Sequence, residues 1–80
     1  MKKILLIEDH DEIRENTSEI LHLAGYDVSA AANGRDGVAL AREKNPDLVL
    51  CDIMMPVLDG YGVLHLFRRD DVLSKIPFIF

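Results

Sequence analysis

The chain has 80 residues, of which 49% are hydrophobic and 29% are charged, and its formal net charge is −5 at neutral pH. This balance is typical of one small globular domain, and the negative charge argues against nucleic acid or an anionic membrane as a partner of this segment. The sequence has no apolar stretch long enough to cross a bilayer and no secretory signal, and its single cysteine, Cys51, excludes an internal disulfide, so we expect a cytoplasmic location.

Apolar runs and helical patterns alternate along the chain. The short run over residues 4–7 is apolar throughout and ends at two acids, which predicts a strand buried on both faces. Between residues 10 and 24, apolar positions recur at helical spacing, and Gly25 follows where a left-handed cap is wanted. The first part of the chain is therefore predicted to be a strand followed by a helix.

The same alternation continues to the last residue. We expect, in chain order, a strand over 26–31, a turn at Asn33-Gly34, a helix over 35–44, a strand over 48–51, a helix capped by Asp59 with a stripe of Gly60, Val63, Leu64 and Phe67, and a strand from Pro77 onwards. This order predicts an α/β fold with a parallel sheet, right-handed crossovers and helices on both faces. In such sheets ligands bind at the carboxyl ends of the strands.

Acidic residues lie where two of the predicted strands end. Glu8 and Asp9 follow the first strand, and Asp52 ends the third. If these strands are neighbours, three carboxylates converge, and like charges at that distance need a cation between them. Mg²⁺ is suited to such a site because it prefers oxygen ligands and keeps several waters. The alternative is that these acids are solvated or cap the following helix.

Three stretches, ILLIEDH, PDLVLCDIMMPVLDGYGVL and KIPFIF, resemble the receiver domain of bacterial two-component response regulators along the whole chain. The acidic pair Glu8-Asp9, the D-x-x-M-P segment from Asp52 to Pro56 and the Asp59-Gly60 pair carry this resemblance. It implies a flavodoxin-like doubly wound sheet with strand order 2-1-3-4-5 when complete. Residues 1–80 would form a single, partial receiver domain of order 2-1-3-4, with strand five missing.

The resemblance also implies a role for each site residue. Asp52 would accept a phosphoryl group from a sensor histidine kinase, Asp9 would coordinate Mg²⁺ directly, Glu8 would act through water, and the main-chain carbonyl of Met54 would complete the protein ligands. A carboxylate can attack phosphorus, and the metal neutralises the phosphoryl oxygens. Pro56 would make the loop after Asp52 rigid. The chain would then be a phosphoacceptor signalling domain rather than an enzyme.

The histidines suggest a second kind of metal site, which the sequence disfavours. Glu8, Asp9 and His10 include ligands of transition metals, but three consecutive residues at a strand end rarely converge on one ion. We therefore expect His10 to border the acidic cleft without being a ligand. His22 and His65 lie on separate predicted helices and are expected at the surface.

Two further hypotheses concern what the chain lacks and what else it resembles. The family places a Ser or Thr at the end of strand four and a Lys at the end of strand five, both beyond Phe80. The chain is thus alternatively a fragment that cannot signal and that self-associates, because the apolar residues 76–80 on an unpaired strand-four edge predict a homodimer. A flavodoxin or an aspartyl phosphatase is disfavoured, since residues 8–11 offer neither a hydroxyl-rich, glycine-rich loop nor a D-x-D order.

Overall fold

A computed structural model describes residues 1–55 and 58–80. In this part of the chain the elements are β1 (Lys3–Ile7), α1 (Asp11–Leu23), β2 (Asp27–Ala31), α2 (Gly34–Lys44), β3 (Leu48–Cys51), α3 (Gly60–Arg69), a 3-10 helix (Leu73–Lys75) and β4 (Phe78–Ile79). The strands form one parallel sheet in the order β2-β1-β3-β4. The predicted α/β fold and strand order are therefore confirmed.

Local sequence signals explain where the helices begin and end. The side chain of Asn33 accepts a hydrogen bond from the main-chain nitrogen of Asp36 at 2.8 Å, so α2 begins at Gly34. The prediction of a turn at Asn33-Gly34 is wrong, because an N-cap side chain satisfies a free donor of the first turn and lets the helix begin there. Gly25 after α1 has a φ of 97°, and Asn45 after α2 has a φ of 49°. Both residues adopt the left-handed conformation that ends a helix.

Helix α3 has the cap and most of the buried stripe expected from the sequence. The carboxylate of Asp59 accepts a hydrogen bond from the main-chain nitrogen of Gly62 at 2.9 Å. Among the stripe residues, Gly60, Val63 and Phe67 are buried, and Leu64 is half-buried. The 3-10 helix then leads into β4, which is shorter than predicted and begins at Phe78 rather than Pro77. Proline has no N–H to donate to the sheet, which favours a later start.

The main core lies between the sheet and the pair of helices α2 and α3. Its members include Leu5, Ile7, Val49 and Cys51 from the strands and Val38, Ala41, Val63 and Phe67 from the helices. Burying one large apolar side chain contributes about 1.5–3 kcal/mol, so this layer supplies much of the stability. It also holds the carboxyl ends of β1 and β3 in place.

The helix on the opposite face of the sheet, α1, is largely exposed. All of α1 is described, and none of its residues is buried. Ile13, Ile20 and Leu23 are 50%, 66% and 77% exposed. The predicted helix is therefore present, with several of its apolar residues at the surface. Apolar residues at helical spacing predict the helix, but their burial depends on whether another element covers them.

No helix among the described residues combines the length and the apolar character needed to cross a membrane.

Candidate functional site

Parallel pairing of β1 with β3 brings two of the predicted acids together. Ile7 pairs with Cys51, the last residue of each strand. The main-chain nitrogen of Asp52 donates a hydrogen bond to the carbonyl oxygen of Ile7 at 3.0 Å, which continues the pairing by one residue. Glu8 and Asp52 follow these paired residues, so they leave the sheet at the same point.

Asp9 and His10 complete the group. We name Glu8, Asp9 and Asp52 the acidic cluster. One carboxylate oxygen from each member and one ring nitrogen of His10 all lie within 4.8 Å of one another. The structure thus brings together the three acids that the sequence singled out, and it adds a histidine that the sequence interpretation left outside.

The loop that carries Glu8, Asp9 and His10 is anchored on two sides. The guanidinium of Arg14 in α1 donates to the main-chain oxygen of Glu8 at 3.0 Å and forms an ion pair with Asp11 at 2.5 Å. The main-chain nitrogen of Glu8 donates to the carbonyl oxygen of Ala31 in β2 at 3.0 Å. Sequence reasoning missed Arg14. Its signal is a basic residue three positions after Asp11, a spacing that pairs side chains on one helix face.

Asp9 has a buried oxygen that accepts no hydrogen bond from the described residues, although the Nδ1 of His10 lies 3.3 Å from it. Its Oδ1 is fully buried and has no hydrogen-bond partner among residues 1–55 and 58–80. A buried carboxylate oxygen without a donor costs free energy unless a cation neutralises it. A hard divalent cation would satisfy this oxygen and reduce the repulsion among the three carboxylates. The donor set therefore fits Mg²⁺.

Glu8 differs from Asp9 because it is satisfied by the protein. It is the one buried charged residue in the described part of the chain, and its carboxylate accepts a hydrogen bond from the main-chain nitrogen of Asp9 at 3.0 Å. Burial raises the pKa of Glu8 above its ordinary value, and the carboxylate of Asp52 raises it further. The charged form of Glu8 is thus disfavoured when no cation is bound.

Cys51 lies next to the acidic cluster and has the inert character of a core residue. It is buried, and its thiol lies 3.2 Å from the main-chain oxygen of Asp52, to which it can donate. Burial raises the pKa of Cys51 to about 12, with further contributions from the charges of Asp52, Glu8 and Asp59. Because the thiolate is the reactive form, this thiol is a poor nucleophile at neutral pH.

The loop after Asp52 contacts the first turn of α3 closely. The main-chain nitrogen of Gly60 donates to the carbonyl oxygen of Ile53 at 2.9 Å. A Cβ on Gly60 would lie 2.5 Å from the main-chain oxygen of Asp52 and 2.7 Å from the Cα of Ile53. Only glycine permits this approach. The sequence interpretation used Gly60 as part of a family motif and of the apolar stripe, and it missed this contact.

Met54 is placed beside Asp52 through its main chain. Its nitrogen lies 3.3 Å from the Oδ1 of Asp52, to which it donates, and its side chain is exposed. Its carbonyl as a metal ligand stays a prediction. Pro56 lies outside the described residues, so its predicted stiffening of the loop also stays a prediction.

The comparison with known families decides the identity of this domain. Residues 4–80 match the family model of the response regulator receiver domain. The chain belongs to this family.

Curated response regulators resemble this receiver domain over nearly its whole length. The DNA-binding dual master transcriptional regulator RpaA of Synechocystis is 43% identical over 77 residues, which cover 96% of this chain and 32% of that protein. The transcriptional regulatory protein AfsQ1 of Streptomyces coelicolor is 45% identical over 76 residues, covering 95% of this chain and 34% of that protein. The chain thus spans about a third of the length of these relatives.

Solved receiver structures share the fold. The N-terminal domain of a response regulator receiver protein from Methanoculleus marisnigri has a TM-score of 0.94 at 31% identity, covering 98% of this chain and 63% of that one. TrrA of Thermotoga maritima, in complex with Mg²⁺-BeF, has a TM-score of 0.88 at 33% identity, with 98% and 66% covered. TrrA in complex with the histidine kinase ThkA has a TM-score of 0.87 at 33% identity, with the same coverage. The flavodoxin-like fold predicted from the sequence is confirmed.

The raised pKa of Glu8 predicts a pH-dependent loss of stability in the metal-free receiver domain. Because the folded-state pKa lies above the unfolded one, stability falls as the pH rises from the unfolded value through the folded value. We expect Glu8→Gln to match the wild type near pH 4 and to be more stable at pH 7. Urea unfolding between pH 4 and pH 8 in EDTA measures the difference. The exposed Glu15→Gln on α1 is the control and should follow the wild type. A wild-type advantage over Glu8→Gln at pH 7 would contradict the interpretation.

The close approach of Gly60 predicts that Gly60→Ala destabilises the receiver domain and disturbs the Asp52 loop. Overpacking against main-chain atoms typically costs about 1–3 kcal/mol. We expect that loss in urea unfolding, together with a shift of the Asp52 and Ile53 amide resonances. Gly62→Ala is a matched control on the same helix, because its Cβ would meet the flexible end of the Leu58 side chain. It should be tolerated, since alanine is favoured over glycine in helices by up to ~1 kcal/mol. Equal effects of the two substitutions would refute the special role of Gly60.

Proposed function

We propose that this receiver domain accepts a phosphoryl group from a sensor histidine kinase on Asp52, with Mg²⁺ held by the acidic cluster. The observation that carries the proposal is the grouping of one carboxylate oxygen from each of Glu8, Asp9 and Asp52 within 4.8 Å of one another, with a buried Asp9 Oδ1 that accepts no hydrogen bond from the described residues. An arrangement that costs free energy without a cation is expected where a cation belongs to the function.

Each residue of the site has a distinct part in this proposal. Asp9 would coordinate the metal directly through its buried oxygen, and Glu8, whose Oε2 accepts the Asp9 amide, would act through a water. Asp52 would contribute one oxygen to the metal, and the main-chain carbonyl of Met54 would add another. Bound Mg²⁺ supplies positive charge that neutralises the oxygens of the phosphoryl group.

Asp52 is the nucleophile of the transfer. A carboxylate oxygen of Asp52 forms the new bond to phosphorus while the bond between phosphorus and the kinase histidine breaks, which leaves a mixed anhydride on Asp52. The main-chain nitrogen of Met54 holds one carboxylate oxygen at 3.3 Å, and the half-buried position of Asp52 leaves it accessible to a phosphodonor. The rest of the protein therefore contributes mainly by orienting the carboxylate of Asp52.

The kinase partner and the metal are supported by the relatives. TrrA, 33% identical to this chain, is known in complex with the histidine kinase ThkA and with Mg²⁺-BeF. We extend both kinds of partner to this receiver domain, which would act as a signalling domain in the cytoplasm. The buried, free Cys51 suits a reducing compartment.

Phosphorylation with a small-molecule donor tests the proposal. In the presence of Mg²⁺, acetyl phosphate should add one phosphoryl group to the wild type and none to Asp52→Asn, as read by mass spectrometry of the intact chain. Asp9→Asn should weaken Mg²⁺ binding by about tenfold or more, because it removes a direct ligand. Asp27→Asn, an exposed carboxylate at the other end of the sheet, is the matched control and should behave as the wild type. Full phosphorylation of Asp52→Asn would contradict the assignment of Asp52 as the phosphoacceptor.

Self-association of the 80-residue chain also stays a prediction, and one observation favours it. Within the described residues β4 pairs only with β3, and Ile79 and Phe80 are 50% and 46% exposed. An exposed apolar strand edge is a template for pairing with a second chain. Nothing in the described residues favours the companion hypothesis of a chain that cannot signal, since the acidic cluster is in place.

Sedimentation equilibrium tests this association. We expect the mass of a dimer at high protein concentration and dissociation on dilution. Ile79→Lys should weaken the dimer, because a charge on an edge strand opposes pairing, while Leu23→Lys on the exposed face of α1 should not. A monomer mass at every concentration would exclude the dimer.

A further inference from the structure

The position of His10 carries a consequence for metal selectivity. The sequence interpretation held that Glu8, Asp9 and His10, as consecutive residues, would not converge. In the structure each of these three residues nevertheless offers a ligand atom within 4.8 Å of the others and of Asp52. The ring nitrogen Nδ1 of His10 lies 3.3 Å from Oδ1 of Asp9, the oxygen that has no other described partner.

The local backbone explains why the imidazole is available. His10 is the N-cap residue of α1, with an extended φ of −79° and ψ of 115°. Its carbonyl oxygen accepts a hydrogen bond from the main-chain nitrogen of Arg14 at 2.8 Å, which fixes the backbone. Its side chain makes no capping hydrogen bond and is 66% exposed. The ring is therefore attached to a rigid position but is free to adjust its own torsion angles.

The distances need only a small adjustment for joint coordination. Two ligand atoms that bind one ion at ~2.1 Å each lie at most ~4.2 Å apart. The Nδ1–Oδ1 distance of 3.3 Å already meets this limit, and the largest separation in the group exceeds it by well under one ångström. Because the ring of His10 is exposed, its own torsion angles can adjust toward an ion without moving the backbone.

The chemistry of the donor set then separates two classes of cation. Mg²⁺ takes oxygen ligands and gains little from an imidazole. First-row transition cations such as Zn²⁺ and Ni²⁺ bind imidazole nitrogen well, so one added nitrogen favours them selectively. His22 and His65 are exposed on α1 and α3 and do not belong to the acidic cluster.

We propose that His10 sets the metal specificity of this site, because its imidazole adds a nitrogen ligand to the acidic cluster and favours Zn²⁺ or Ni²⁺ relative to Mg²⁺. This inference rests on the proposed function, since it uses the same metal site. It assigns to His10 a part in binding that the carboxylates alone do not supply.

Calorimetric titration of Zn²⁺ and of Mg²⁺, each alone, tests the proposal on the 80-residue chain and its variants. The ratio of Zn²⁺ affinity to Mg²⁺ affinity should fall about tenfold or more in His10→Ala. His22→Ala and His65→Ala are matched controls, each removing one exposed histidine, and the ratio should be unchanged in both. In long-range proton–nitrogen spectra of the wild type, Zn²⁺ should shift the ring nitrogen resonances of His10 and not those of the other histidines.

The outcomes separate failure of this inference from failure of the proposed function. Mg²⁺ binding that is absent, or that is unchanged in Asp9→Asn, would refute the metal site itself and the inference with it. Mg²⁺ binding that depends on Asp9, with an unchanged affinity ratio in His10→Ala, would overturn the role of His10 alone. Zn²⁺ shifts at His22 or His65 in place of His10 would also overturn it.

Discussion

The parallel pairing of β1 with β3 is the constraint on which the rest of this structure depends. Because both strands run in one direction, their carboxyl ends meet, and the residues after Ile7 and Cys51 are brought together. The result is unfavourable for the charged form of Glu8, because its burial and then the neighbouring carboxylate of Asp52 raise its pKa. The apolar layer beneath offsets this cost, with Leu5 and Val49 fully buried in the same two strands. The same strand pair therefore carries both the stabilising core and the unfavourable acidic cluster. Functional sites commonly store strain that the surrounding structure offsets.

Helices on both faces of the sheet extend this coupling to the loops. On one face, Arg14 of α1 donates to the main-chain oxygen of Glu8. On the other, the main-chain nitrogen of Gly60 in α3 donates to the carbonyl oxygen of Ile53. Both contacts end on main-chain oxygens of site loops, so they fix the loop backbones and leave the carboxylates free to bind. Rigid elements thus orient side chains that are themselves incompletely satisfied.

The sequence was sufficient to predict the features that depend on the spacing of apolar residues and on the direction of the strands. The parallel sheet follows from alternating strands and helices, its strand order was implied by the resemblance to receiver domains, and the caps at Gly25 and Asp59 follow from residue type. It was insufficient to predict the features that depend on tertiary contacts. The exposure of Ile20 in α1 depends on what covers the helix, which no pattern within the helix reports. Likewise Asp70 accepts hydrogen bonds from the main-chain nitrogens of Val72 and Leu73 and pairs with Arg42 of α2, which depends on residues 28 positions away.

The contrast between Glu8 and Asp9 shows how two adjacent carboxylates acquire different chemistry. In a strand, successive side chains point to opposite faces, so these two could share one site only where the strand has ended. The turn after Ile7 meets this need and lets the Asp9 amide donate to Glu8 at 3.0 Å. That bond gives Glu8 a donor from within the protein, whereas the buried Oδ1 of Asp9 accepts no hydrogen bond from the described residues and has only the Nδ1 of His10 at 3.3 Å. The hydrogen bond from the backbone of one acid to the side chain of the other thus makes the pair asymmetric. Sequence spacing places both acids at the site, and only the main-chain hydrogen bond distinguishes their roles.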